Sequence, residues 1–249
     1  LKAAAALTLV GVGPGDPNLL TVAAVQAIAK AAVVAYPVAQ PGAEGMAARI
    51  AAPWITEQRH LPLLFPMVAA AAPRLAAWRT AADLLAAELA RAEQLVLLCE
   101  GDASLFASCS YVLLELASRY PQWPVSVIPG ITAVAAAAAA ASSLGMPWPL
   151  ALQDEGLLIR PTPNSQAALE LLLEQAKASN TVLALLKLGE RWLWVQPVLE
   201  ARGLLAASLF AQRVGWPDQL LLPASEVPAA QRPYFSLLLI RQNWPEVLP

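Results

Sequence analysis

The chain has 249 residues, 58% of them hydrophobic and only 14% charged, with a net charge of −2. Soluble domains carry roughly 25% charged residues, so charge is scarce here; high hydrophobicity with low net charge still excludes a disordered chain and gives no footing for nucleic-acid binding. A membrane partner is not expected either, because the longest charge-free stretch, Tyr120–Gln153, is broken by prolines and glycines, and its best piece, Ile131–Met146, is alanine-rich and falls short of the about 20 apolar residues a span needs.

In chain order, Leu1–Val12 is largely apolar apart from Lys2 and runs straight into Gly-Pro-Gly-Asp-Pro without a cleavage site, so Leu7–Val12 is predicted as a buried strand rather than part of a secretory leader. Helix spacing follows over Leu19–Lys30, then a β-branched run over Ala32–Tyr36, a helix over Met46–Ile50, and a strand over Leu61–Phe65. Pro73–Arg91 is predicted as a long amphipathic helix with Leu75, Trp78, Leu84, Leu85 and Leu89 on one side. Leu95–Cys99 and Val125–Ile128 are further strands, the first followed by a helix reaching Arg119 and the second by a poly-alanine helix. Strands alternating with helices at this spacing predict βαβ units and a mainly parallel sheet, covered on both faces because its strands are almost wholly apolar.

After Pro149 the pattern restarts. Leu157–Arg160, Thr181–Leu186, Leu209–Val214 and Phe235–Arg241 are predicted strands, Ser165–Lys177 and Arg191–Arg202 are predicted helices, and residues 215–234 are turn-rich. A mixed α+β second domain is expected, with domains over 1–129 and 130–249. Cys99 and Cys109 lie ten apart, which is no metal or redox spacing, so no metal is expected and both are taken as buried thiols of a cytosolic protein. The single histidine, His60, is expected to be structural or solvent-facing.

Three segments can carry chemistry. Gly11-Val-Gly-Pro-Gly-Asp16 follows the first strand, where glycine permits sharp turns and close approach of a ligand. A dinucleotide fingerprint would place its third glycine at position 16, where Asp16 stands, so that reading fails. A Rossmann-type methyltransferase would want an acid closing the second strand, and Val34-Ala-Tyr-Pro37 offers none. Glu100–Phe106 lies at the carboxyl end of the fourth strand, where open α/β sheets bind ligands; Asp102 and Ser104 there are either ligand contacts or helix caps. Thr132, in Pro129-Gly-Ile-Thr-Ala133, has the same two readings.

Taken together and in this order, the segments resemble the tetrapyrrole methylases. The first loop of that family reads G-x-G-P-G-D-x-x-L-L-T, which residues 11–21 match; Glu100–Phe106 and Pro129–Ala133 correspond to its second and third motifs. The branch methylating C20 of precorrin-2 or its cobalt form is the most similar, through Val33-Val-Ala-Tyr-Pro37, Ala52-Pro-Trp54, Leu61–Met67, Ala77-Trp78 and Pro233–Leu239. Departures are Ala103 for proline, Phe106 for tyrosine, Val68-Ala-Ala70 for a polar segment, and Arg213–Asp218 for a related R-A-x-x-P-D.

The resemblance implies a two-domain α/β fold with a ligand cleft between a mainly parallel N-terminal sheet and a mixed C-terminal sheet. It implies an S-adenosylmethionine-dependent C20-methyltransferase of cobalamin biosynthesis, cytoplasmic and homodimeric. A methylase of another ring position and a divergent, weakly active binding paralogue are the alternatives. Carried over by motif, Pro14, Glu100, Gly101, Asp102, Leu105, Thr132, Ala133, Leu186, Lys187 and Val214 would bind S-adenosylmethionine. Asp16, next to the loop, is the candidate base. A precorrin-type substrate carries eight carboxylates, which arginine holds best; Arg49, Arg74, Arg79, Arg160 and Arg213 are the candidates.

Overall fold

A computed structural model describes residues 6–91 and 94–244. Leu1–Ala5, part of the apolar opening, lie outside the described residues. The chain divides into two compact units, Leu1–Ala133 and Val134–Pro249, beyond the expected break at Pro129.

The first unit is a five-stranded parallel sheet in the order β3-β2-β4-β1-β5, from β1 (Ala6–Gly11), β2 (Val33–Val38), β3 (Arg59–Leu64), β4 (Gln94–Cys99) and β5 (Val125–Ile128). The intervening helices are α1 (Val22–Lys30), α2 (Met46–Ala51), α3 (Ala71–Leu89) and α4 (Cys109–Arg119). Successive residues of a strand face opposite ways. Leu7, Leu9, Val33, Ala35, Leu95, Leu97 and Cys99 therefore share one cluster with Leu85 and Leu89 of α3 and Val112 and Leu116 of α4. α1 and α2 pack on β1, β2 and β4 as well, and Ile28 and Ile50 are buried there. The central strands are covered on both faces as expected, but the edge strand β5 is not: Val125 and Val127 are exposed.

The buried face of α3 differs from the expected one. Leu85 and Leu89 are buried, but Leu75 and Leu84 are exposed, and Ala81, Ala82 and Ala86 fill the contact instead. Alanine lets the helix axis approach the sheet, so the seam follows side-chain size and not the leucines alone. Glu88 is buried on this helix and paired with Arg59 (Nη1–Oε1 3.1 Å) and Arg91. The Arg59 hydrogen bond is the main reason its carboxyl lies below the usual glutamate range.

The second unit contains most of α5 (Ala133–Ser143) and a mixed sheet in the order β6-β7-β10-β8-β9. Its strands are β6 (Gly156–Pro161), β7 (Thr181–Leu186), β8 (Ser208–Gln212), β9 (Leu220–Pro223) and β10 (Ser236–Ile240), with β6 parallel to β7 and the other pairs antiparallel. Helices α6 (Gln166–Ala178) and α7 (Trp192–Ala201) bury Leu169, Leu173, Trp192 and Val195 against Leu183, Leu185, Phe210 and Leu238. β9 falls inside the stretch read as turns; it is a four-residue edge strand that ends on Pro223. Directly after β10, Arg241 is fully buried, forked onto Glu155 (Nε–Oε1 2.8 Å, Nη2–Oε2 2.7 Å), with Trp148 and Trp244 beside its guanidinium. This clamp ties the chain entering β6 to the chain leaving β10.

Candidate active site

Strands β4, β1 and β5 are adjacent and parallel, so the loops at their carboxyl ends emerge side by side. Gly13 and Gly101 exchange two backbone hydrogen bonds, N to O at 3.1 and 2.8 Å, and Val12 N donates to Cys99 O at 2.9 Å. Gly11 and Gly130 meet backbone to backbone. A Cβ on Gly11 would lie 2.5 Å from Gly130 N, and one on Gly130 would lie 2.2 Å from Gly101 O and 2.7 Å from the carbonyl carbon of Gly11. Only hydrogen fits at either position. Gly101 itself sits at φ +69°, and a Cβ there would point into open space. The three motifs therefore form one cradle of backbone.

A single side chain stitches it. Asp102 Oδ2 accepts from Gly130 N at 2.9 Å, and its Oδ1 accepts from Ser104 N at 2.9 Å and from the Ser104 hydroxyl. Burial pushes the Asp102 carboxyl up, but the bonds from Ser104, Gly130 and Leu105 outweigh it and hold it below the usual aspartate range. α4 begins only at Cys109, so Asp102 and Ser104 cap the local turn and brace the β5 loop rather than starting that helix. Sequence reasoning did not single out Ser104 as the partner of Asp102; a serine two residues after an aspartate is an Asx-turn signal that could have found it.

Pro14 is buried in the first loop, and Glu100, Gly101, Leu105, Thr132 and Ala133 are half-buried in the other two. Phe106, one of the departures, takes φ +54° with its ring exposed. Asp16 caps the short turn Pro17–Leu19, where its Oδ1 accepts from Asn18 N at 2.8 Å and from Asn18 Nδ2 at 2.9 Å.

In the second unit β6, β7 and β8 all point one way, so Leu186, Lys187, Arg213 and Val214 lie at the same end of the sheet. Arg160 is on β6 opposite Leu185 and exposed. Lys187 and Arg213 have positive φ, +58° and +50°. Each is pinned by its neighbours. Thr162 donates from N and Oγ1 to Leu186 O, Leu188 N and Gly189 N bond Ser236 O and Oγ, and Arg213 N bonds Phe235 O. Arg213 pairs with Asp218 (Nε–Oδ1 2.8 Å) and stacks over Trp216.

The other expected arginines lie on helices of the first unit. Arg79 joins α3 to α4 through Glu115, 3.5 Å away; Arg49 faces Glu44 at 3.9 Å; Arg74 bonds Ala70 O and lies beside Trp78. His60 is exposed, and its Nδ1 meets the Tyr36 hydroxyl at 3.1 Å, a structural place. Cys99 and Cys109 are free and buried, and the Cys99 contact together with burial pushes the Cys109 thiol well up. Among the described residues there is no group of histidine, cysteine and acidic side chains fit to hold a metal, and no helix is long and apolar enough to cross a membrane.

The family model described as Tetrapyrrole (Corrin/Porphyrin) Methylases matches residues 6–227 and so takes in all three loops and the second sheet as far as β9. The chain belongs to this family. It is similar to the precorrin-2 C(20)-methyltransferase of a Sinorhizobium species, 30% identical over 93% of each chain. The cobalt-precorrin-2 C(20)-methyltransferase of Salmonella typhimurium is also 30% identical, over 93% of this chain and 94% of the relative. A Mycobacterium tuberculosis cobalamin biosynthesis protein, CobIJ, is 31% identical over 93% of this chain but 45% of its own length. Among solved structures, a cobalt precorrin-4 methyltransferase shares the fold at TM-score 0.67 and 18% identity, covering 97% of this chain and 96% of that one.

Proposed function

We propose that this tetrapyrrole methylase transfers a methyl group from S-adenosylmethionine to C20 of precorrin-2 or cobalt-factor II in cobalamin biosynthesis. The observation that carries the reading is the merging of the three motif loops into one glycine-packed backbone cradle. Relatives that bear C20-methyltransferase names and align over nearly the whole chain support it. A cytoplasmic homodimer is part of the same reading.

The cradle fits a ligand held mainly by main-chain groups. Gly101 leaves its backbone open, and Asp102 spends its carboxylate inside the loops, which fixes the backbone donors and acceptors of residues 11–16, 100–105 and 129–133. In this reading Glu100 and Thr132 are further contacts of the cradle to S-adenosylmethionine. S-adenosylmethionine supplies an electrophilic methyl on a sulfonium, a good leaving group. The protein's task is to fix that methyl in line with the nucleophilic carbon, and such positioning lowers a barrier by about 7–11 kcal/mol. As the carbon–carbon bond forms, the carbon–sulfur bond breaks, and the methylated carbon then gives up its proton. Asp16 takes that proton in this scheme: Asn18 occupies its Oδ1 and leaves Oδ2 to act as base.

Turnover with precorrin-2 and cobalt-factor II side by side, with the product mapped by NMR, tests the proposal. A new methyl on C20 is expected. A methyl on another carbon assigns a different ring position. No turnover, with no heat on titration of S-adenosylhomocysteine, makes the chain a non-catalytic relative.

A further inference from the structure

The second unit holds a cavity of about 670 Å³ that the motifs do not account for. Lys187, Arg191 and Arg232 line it, with Tyr234 and Trp194 as aromatic walls and one carboxylate, Glu190. Glu190 is engaged by the Gln231 amide.

Arg191 and Arg232 stand apart from most arginines of the molecule. Arg49, Arg59, Arg79, Arg91, Arg119, Arg202, Arg213 and Arg241 each have a carboxylate within ion-pair distance. Among the described residues Arg191 and Arg232 have none. Arg191 spends its Nη1 on Lys187 O (3.1 Å) and its Nη2 on Asn164 Oδ1 (2.6 Å), both neutral. Arg232 gives Nη2 to Pro228 O at 3.2 Å and lies 5.6 Å from the Phe210 ring, and its Nε is buried with no hydrogen-bond partner among the described residues. Arg232 is half-exposed as a residue, but a donor nitrogen buried without an acceptor is costly unless one arrives. Lys187 is held at positive φ with its ammonium 5.8 Å from the Tyr234 ring centre. Strain of that kind persists where the surroundings over-determine a position, as they do at ligand sites.

We infer that this cavity is a carboxylate-binding subsite that takes a peripheral carboxylate of the tetrapyrrole, with Arg191 and Arg232 as the specificity-determining pair. The inference rests on the tetrapyrrole reading above. Guanidinium and carboxylate match as planar forks, Tyr234 and Trp194 offer apolar surface to the macrocycle edge, and three cations against one engaged carboxylate leave the cavity positive. The methionine carboxylate of S-adenosylmethionine has the same chemistry, so the test separates the two sources.

The probes are uroporphyrin III, an octacarboxylic porphyrin followed by tryptophan quenching, and S-adenosylhomocysteine followed by calorimetry. R191Q and R232M are each expected to weaken porphyrin binding about tenfold or more, as loss of a charge-assisted hydrogen bond does, and R191K and R232K to restore part of it. S-adenosylhomocysteine affinity is expected to stay at the wild-type value. Porphyrin binding unchanged in the R191Q/R232M double variant overturns the subsite, and so does a parallel loss of S-adenosylhomocysteine. If R232M lowers the unfolding midpoint, R191Q carries the test. Wild-type turnover of precorrin-2 is scored separately. Its absence, with porphyrin binding still dependent on both arginines, removes the C20 reading and leaves the subsite standing; its presence with arginine-independent binding does the reverse.

Discussion

The two units build the carboxyl ends of their parallel strands from opposite materials. In the first, glycines bring three loops together main chain to main chain, and one aspartate fastens them. In the second, the corresponding end of the sheet carries lysine and arginine side chains, two of them on residues forced into the left-handed region. A parallel sheet delivers all its loops to one end, so backbone alone can form a cradle there. A mixed sheet delivers strand starts and strand ends alternately, and side chains must span the gaps. The first end suits a ligand recognised by its shape and polar groups, the second a ligand recognised by its charge.

If side-chain pairing holds the second unit, removing one charge should do more damage than any change in the first. Arg241→Ala leaves Glu155 buried without its partner, and a destabilisation of about 3–5 kcal/mol is expected in denaturant unfolding. The Arg241 hydrogen bond is the largest of the causes that hold the Glu155 carboxyl below the usual glutamate range. In the wild type its contribution is therefore present above the unfolded-state value and is lost as pH falls through the lower folded value. The difference between wild type and variant should be greatest near neutrality and shrink in acid, where Glu155 protonates. A constant difference would show that the aromatic stack, not the charge pair, does the holding.

Gly130→Ala comes next and tests the first unit. The new Cβ meets the carbonyl oxygen of Gly101 and the backbone of Gly11, none of which is a flexible side-chain end. Overpacking of this kind costs about 1–3 kcal/mol, and calorimetry with S-adenosylhomocysteine should register no binding. Retained binding would mean that the loops can part without losing the cradle.

The two ends were not equally legible. Gly11, Gly101 and Gly130 could be read in the sequence because glycine beside a strand end carries a geometric meaning of its own. Strands β5 and β7 were found with their limits because each is a short apolar run between turn residues. Arg191, Arg232 and Tyr234 are spread over a helix start and a turn, and only the pairing of β7 with β10 and β10 with β8 brings them to one end; nothing in their spacing announces it. β9 was missed because Leu220–Pro223 lies among turn residues and ends on proline. The face of α3 was misjudged because its seam is alanine, which hydrophobicity ranks low but close packing prefers.

Asp102→Asn is the third step. The amide keeps the shape and one acceptor but loses the charge that Gly130 N and Ser104 reinforce, and about 1–3 kcal/mol is expected. The folded carboxyl sits below its usual range, so its stabilisation is complete above the unfolded value and fades as pH drops through the folded one. The asparagine variant should lack that acid-side loss. If both proteins lose stability over the same acid range, the dependence belongs to the other carboxylates held low, Glu88, Glu155 and Glu174.

Lys187→Gly has the smallest expected effect and the sharpest bearing on the comparison. At φ +58° a lysine is strained where glycine is not. The substitution relieves that strain while loosening the unfolded chain, and the two offset to within about 1 kcal/mol. The Lys187 carbonyl still receives Arg191, and Ser236 still pins Leu188 and Gly189, because all of these bonds use main-chain atoms of the turn. The variant should therefore keep an unfolding midpoint close to wild type while binding uroporphyrin III more weakly. In the first unit the reverse holds: Gly130→Ala lowers stability and abolishes binding together. A large drop in stability from Lys187→Gly would mean that the lysine side chain supports the turn, and that the second unit, like the first, spends its unusual backbone on architecture rather than on its ligand.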